Sequence, residues 1–205
     1  MDVVESHWTS GRLLDVGSGF GHLLRLALGR GYDAIGIEAS PEAARLSKAA
    51  FGADPIVGFF PEHKFDMCSF EVVVMNHVLE HMPDPESAVR EAARILKPGG
   101  ILVIMYPNFN SLMRWIKSAG WAGLQPSQHL WQLSTGTVRN LMDFAGLEPY
   151  HTYSGSLDYH RGPRPLWKWM IWRLVLRAAD WLDLGDNMIS VGLKPVWQVR
   201  VKGLQ

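Results

Sequence analysis

Along the first hundred residues, apolar positions fall into short runs separated by stretches with helical spacing. Residues 12–16, 33–37, 55–57, 72–75 and 101–106 read as strands. Their apolar residues do not alternate with polar ones, so cover on both faces is expected. Residues 22–30, 41–50 and 85–95 space their apolar side chains three and four apart and read as helices. Ser40 before Pro41 suits a helix start: an oxygen to cap free N–H groups, then a ring whose fixed φ fits the first helical position. Strands alternating with helices predict an α/β fold on a mainly parallel sheet, with ligands bound beyond the carboxyl ends of the strands. After Tyr106 the rhythm changes to two helical stretches, a strand near 149–153, a Trp-rich helix over 166–182 and a last strand near 188–193. No repeat or low-complexity tract is present.

One junction carries chemistry. Leu13-Leu-Asp-Val-Gly-Ser-Gly-Phe-Gly21 ends a buried strand in Asp15 and follows it with glycines at alternate positions, Gly17, Gly19 and Gly21. Glycine there lets the chain turn tightly and approach a ligand that a side chain would strike. The next strand ends in Glu38, where an acid can accept hydrogen bonds from both hydroxyls of a ribose. The pair reads as a nucleoside-cofactor site, against a bare strand-to-helix turn. A dinucleotide site prefers G-x-G-x-x-G, which this spacing does not match.

The D-x-G-x-G-x-G spacing resembles motif I of the class I S-adenosylmethionine-dependent methyltransferases. Phe70-Glu-Val-Val-Val-Met-Asn-His-Val-Leu-Glu-His-Met-Pro-Asp-Pro85 resembles the family's fourth-strand region, and Leu96-Lys-Pro-Gly-Gly100 its approach to strand five. Pro107-Asn-Phe-Asn-Ser111, Pro126-Ser-Gln-His-Leu130, a helix opening near Thr135 and Ala145-Gly-Leu147 follow the order of a small-molecule branch related to ubiquinone-type O-methyltransferases. The resemblance covers about residues 13–195. It implies a Rossmann-like three-layer sandwich with a mostly parallel seven-stranded sheet, the last strand antiparallel, and S-adenosyl-L-methionine as cofactor. It places Asp15, Gly17, Ser18, Gly19, Gly21, Glu38, Ala39, Phe60, Asn76 and His77 at the cofactor. Phe59 or Phe60 stands where relatives often carry an acid for the adenine, so stacking on the ring and ordinary core packing are both open. The expected acceptor is small or lipophilic and methylated on oxygen. His129 is the expected base, with His77 in reserve, and a structural loop role for His129 is the alternative. The family's usual N-terminal helical segment is nearly missing before the first strand, so either the chain is a trimmed form or the cofactor cleft is covered from elsewhere.

Other features limit these expectations. The 205 residues suffice for one core, and a single domain over 1–205 is expected, with helical substrate-side insertions at about 109–145 and 163–185. The formal charge is zero and no basic block stands out, so no nucleic-acid partner is expected. One cysteine, Cys68, and an acidic start without a signal-peptide pattern fit a cytoplasmic address. His77-Val-Leu-Glu-His81 matches H-x-x-E-H, a zinc pattern that needs a helix. Pro83 and Pro85 follow at once and no third ligand is apparent, so no metal is expected, and Glu80 and His81 are read as tying the loop together. In the Trp-rich helix, Trp167, Met170, Ile171, Leu174, Val175, Ala178, Trp181 and Leu182 share a face expected to pack inward. Trp169, Trp172 and Leu176 interrupt its charged side. They suggest a lid over a hydrophobic acceptor, a homodimer face or peripheral membrane contact. Two other functions remain open: a catalytically silent fold used as a binding module, and an NAD-type oxidoreductase.

Overall fold

A computed structural model describes residues 1–156 and 165–196. One helical turn, α1 (Asp2–Glu5), precedes β1 (Arg12–Val16), α2 (His22–Gly29), β2 (Asp33–Glu38), α3 (Pro41–Phe51), β3 (Ile56–Val57) and β4 (Phe70–Asn76). A short 3-10 turn (Leu79–His81) leads to α4 (Pro85–Ile95) and β5 (Leu96–Pro107). Then come α5 (Leu112–Lys117), α6 (Thr135–Phe144), β6 (Glu148–Gly155), α7 (Leu166–Trp181) and β7 (Asn187–Leu193). The strands form one seven-stranded sheet in the order β3-β2-β1-β4-β5-β7-β6. The first five are mutually parallel, and β7 runs antiparallel between β5 and β6. This is the expected Rossmann-like sandwich.

Alternation along each strand sends neighbouring side chains to opposite faces, and both faces are covered. From β4, Val73 and Met75 join Leu14, Val16, Leu102 and Ile104 against α4 and α6. Val72 and Val74 face the other way, with Leu13, Ile101 and Val103, against Ala27 of α2, Tyr32 and Val4. Helix starts follow local chemistry: Ser40 Oγ accepts from Ala43 N–H, Asp84 Oδ1 from Ser87 N–H and Ser134 Oγ from Thr137 N–H. The 12-residue β5 runs past the end of β4, and its last residues, Tyr106 and Pro107, pair with Met188 and Asn187 of β7. At its end Asn108 is fully buried and donates to the carbonyls of Asp183 and Gly185, locking that edge to the approach to β7.

The Trp-rich helix is where the structure departs from expectation. α7 packs through Trp172, Val175, Leu176 and Ala179, with Trp172 and Leu176 joining Met113 and Trp121. The face expected to be core is turned outward: Trp167, Met170, Ile171 and Leu174 are exposed, and Trp181 is 85% exposed. Periodicity identified which residues share a face. It could not decide which face meets a core, because α7 carries apolar residues on both. The first residues of the 163–185 insertion, 163 and 164, lie outside the described residues.

Candidate functional site

The carboxyl edge of the parallel strands is built around the turn after β1. Gly17, Gly19 and Gly21 all have left-handed φ, at 65°, 52° and 80°. A β-carbon on Gly17 would sit 2.4 Å from Val78 Cγ2, and one on Gly21 would sit 2.0 Å from Ser47 Oγ. These two glycines serve packing within the protein. Gly19 differs, because a β-carbon there would meet nothing within 4 Å. Its open side is room for a ligand. Glu38, at the end of β2, accepts from Gly19 N–H and Ser40 N–H, both at 2.8 Å, so its carboxylate also holds the turn in place. Each oxygen keeps lone pairs for further donors.

Asp15 and Ser18 are buried beside this turn, and Asp15 Oδ2 and Ser18 Oγ have no hydrogen-bond partner. Burial pushes the Asp15 carboxyl up from 3.8 to about 7; the Leu24 backbone N–H opposes this and the Glu38 charge adds to it. Unpartnered buried oxygens, an open glycine and a carboxylate at the next strand end suit a polar cofactor carrying ribose hydroxyls. A cavity of about 650 Å³ opens here, lined by Gly17, Ile37, Ala39, Phe59, Phe60 and Met82, among others. Phe60 lies on its wall and also belongs to the core. Phe59 is exposed. Asp15, Ser18, Gly19, Gly21 and Glu38 frame the turn rather than the cavity wall. Asn76, exposed at the end of β4, lines neither of the two cavities at this edge.

The second cavity, about 370 Å³, is walled by His77, Glu80, His81, Trp121, His129 and Asp186, among others. His81 lines both cavities. Its shape comes from a clamp between segments far apart in sequence. Trp131 N–H donates to the Glu80 carbonyl, Trp131 Nε1 to the Met82 carbonyl at 2.9 Å, and His81 Nδ1 to the Gln128 carbonyl at 2.8 Å. His129 is thereby brought beside His81, with ring centroids 4.8 Å apart. His77 has a left-handed φ of 52°, and its Nδ1 lies 3.3 Å from Glu80 Oε1. Residues 79–81 form one 3-10 turn, so the α-helix that the H-x-x-E-H pattern needs is missing from this place. The expected tie between the loops is present.

Two residues of this wall were not anticipated. Asp186 is buried and takes the Trp121 Nε1 hydrogen bond at 3.0 Å; burial raises its pKa, while Ser111 and Trp121 pull it down. Leu182-Asp-Leu-Gly-Asp-Asn187 carries no motif, and Trp121 reads as one more loop tryptophan. Nothing local marks either one.

The raised Asp15 pKa has a consequence for stability. Where the folded chain holds a proton that the unfolded chain has lost, stability falls as pH rises, here from about pH 4 to about pH 7. Asp15→Asn should match the wild type near pH 4 and exceed it by up to about 4 kcal/mol near pH 8, at 1.36 kcal/mol per unit. Urea unfolding of the ligand-free protein across that range checks this, and a constant difference would contradict it.

Comparison with known proteins agrees with this geometry. The sequence profile of the family described as "Methyltransferase domain" matches residues 4–152. The 2-methyl-6-phytyl-1,4-hydroquinone methyltransferase of Synechocystis sp. is 30% identical over 182 residues, covering 84% of this chain and 57% of that protein. The ubiquinone biosynthesis O-methyltransferase of Idiomarina loihiensis is 30% identical over 154 residues, covering 67% and 61%. The chain therefore spans somewhat over half the length of these two relatives. A SAM-dependent methyltransferase structure from Methanosarcina mazei superposes with a TM-score of 0.71 at 18% identity, covering 96% of this chain and 99% of that one, which shows a shared fold. With its glycine turn, its acid after β2 and most of its length matched by one profile, the chain belongs to the S-adenosylmethionine-dependent methyltransferase family.

Proposed function

We propose that the protein methylates a hydroxyl oxygen on a small, lipophilic acceptor, with S-adenosylmethionine as donor. The observation that carries this reading is the pair of cavities meeting at His81, one ending at the glycine turn and the other walled by imidazoles and carboxylates. When bound, the cofactor supplies a methyl group on an already activated sulfonium. The protein's part is to orient the partners and exclude water. The cofactor is assigned to the open side of Gly19, with Glu38 for the ribose hydroxyls, Asp15 and Ser18 for the amino-acid end, and Ala39 and Phe60 beside the base. Asn76 and His77 close that edge. The name of one relative, an O-methyltransferase, supports an oxygen, and that of the other, a phytyl-hydroquinone methyltransferase, supports a lipophilic ring.

A hydroxyl acceptor must lose a proton, and His129 is assigned that role. Its Nδ1 lies 2.9 Å from the Gly123 carbonyl, which can only accept. Nδ1 therefore carries the hydrogen, and Nε2 of the neutral ring is free to take a proton at the second cavity. His77 on the same wall is the reserve.

No helix among the described residues is long and apolar enough to cross a membrane. The exposed face of α7, with Trp167, Met170, Ile171, Leu174 and Trp181 flanked by Lys168, Arg173 and Arg177, is assigned to peripheral contact with an anionic membrane surface. A cytoplasmic enzyme drawing a lipophilic acceptor from a bilayer fits this arrangement.

Calorimetry should show micromolar binding of S-adenosylmethionine or S-adenosylhomocysteine. Gly19→Val should abolish it by filling the open side of the turn. Glu38→Ala should weaken it by about 1.5–3 kcal/mol, the range for a hydrogen bond to a charged group. No heat from the folded wild type with either ligand would sink the cofactor assignment. Against a panel of phenolic and quinol acceptors, His129→Ala should lower turnover about a hundredfold with cofactor affinity unchanged. Cofactor binding without transfer to any acceptor would point to a silent fold used as a binding module. Trp167→Ser with Ile171→Ser should leave stability within about 0.5 kcal/mol per exposed site yet reduce flotation with phosphatidylglycerol vesicles. Unchanged flotation together with a loss of dimer on a sizing column would assign the face to self-association.

A further inference from the structure

Glu80, His81 and His129 place one ligand-type atom each within 4.8 Å of one another. The two imidazoles are oriented alike: His81 Nδ1 lies 2.8 Å from the Gln128 carbonyl and His129 Nδ1 lies 2.9 Å from the Gly123 carbonyl. A carbonyl only accepts, so both Nδ1 atoms carry hydrogen, and both Nε2 atoms of the neutral rings present bare lone pairs. A backbone carbonyl that fixes the tautomer and angle of an imidazole is the usual support for a metal-ligating histidine. Glu80 is 1% exposed; its Oε1 faces His77 Nδ1, and its Oε2 meets no donor. A carboxylate oxygen left bare in the interior is costly unless a positive charge meets it.

We propose that Glu80, His81 and His129 form a binding site for a divalent first-row transition ion, of the zinc, cobalt and iron(II) class, in the wall of the second cavity. Two imidazole nitrogens with one carboxylate select such an ion over magnesium or calcium, which take oxygen ligands. Bonds of about 2.0–2.2 Å in a tetrahedral site put ligand atoms about 3.3–3.6 Å apart, so the three side chains close inward on the ion. Three protein ligands leave a coordination position open toward the 370 Å³ cavity, whose wall all three residues share. A hydroxyl bound there loses its proton more readily; His129 serves as base in the metal-free protein, and with the ion bound its lone pair is engaged on the ion and His77 stands as the base in reserve. The site does not depend on methyl transfer being the reaction. The ligand set also differs from the H-x-x-E-H pattern, since His77 is outside it and the third ligand comes from another loop.

The test uses the untagged full chain, stripped of metal by a chelator and titrated with Co²⁺ alone, then with Zn²⁺ or Mg²⁺ as competitor. The readouts are the visible ligand-field band of bound Co²⁺ and competition with a chromogenic chelator. One Co²⁺ per chain is expected, displaced by Zn²⁺ and not by Mg²⁺. His129→Ala and Glu80→Gln should each weaken binding about a hundredfold or more, since losing even a residue that supports a ligand costs 10–100-fold. His63→Ala and Cys68→Ser, outside the cluster, should bind as the wild type does. Melting curves of the metal-free variants show which are folded, and His81→Gln replaces any that are not. No Co²⁺ band in the folded wild type overturns the site, and so does equal Co²⁺ affinity in folded His129→Ala. Co²⁺ binding without any heat from S-adenosylhomocysteine would refute the methyltransferase reading and leave the metal site standing.

Discussion

The carboxyl edge of the sheet depends on a turn that only glycine can make. Between the end of β1 and the start of α2 the chain adopts left-handed φ at three alternate residues, with no space for a side chain at Gly17 or Gly21. Gly17 and Ser18 both donate to the Ile37 carbonyl, at 2.8 and 3.2 Å, which seats the turn against β2. Glu38 then reaches back to Gly19 N–H. Strand pairing, turn and acid thus form one unit, and the open side of Gly19 results from it. A side chain at Gly17 or Gly21 would strike Val78 or Ser47, and one at Gly19 would fill the ligand space.

Around this unit the chain buries carboxylates that a purely structural protein would avoid. Asp15, Glu80 and Asp186 are each 1% exposed. Asp15 and Asp186 have raised pKa values chiefly because burial penalises their charge. Asp15 stands on β1 just before the glycine turn, and Glu80 and Asp186 line the second cavity. Carboxylates that hold the fold are treated differently: Glu71 takes the Arg12 backbone N–H at 2.8 Å and the Lys97 ammonium, which together lower its pKa despite partial burial. Destabilising acids collect where ligands would meet them, as expected of a site that gives up stability for function.

The second cavity is a product of long-range contacts. Trp131 engages the turn after β4 through its backbone N–H and its indole, and the Gln128 and Gly123 carbonyls take the imidazoles of His81 and His129, so each bond pairs a side chain or N–H with a backbone carbonyl. Trp121 adds a wall by packing with Leu176 of α7 and bonding Asp186. Three segments separated by dozens of residues therefore define one pocket.

Sequence alone determined the sheet, the glycine turn, the acid after β2 and the helix starts, because each rests on local chemistry: unbroken apolar runs, left-handed φ, a capping oxygen beside a proline. His77, Glu80, His81 and His129 were visible as chemically able residues. Tertiary structure decided that Glu80 and His81, on the expected turn, meet His129 from another loop, while His77 lies outside that cluster and contacts Glu80. It also decided that Asp186 is buried at the cavity, and that α7 packs through Trp172 and Leu176 while Trp167 and Trp181 face outward. The physical reason is the same in each case. Periodicity and spacing describe how side chains are arranged around their own backbone, whereas burial and ligand geometry depend on which distant surface arrives opposite them.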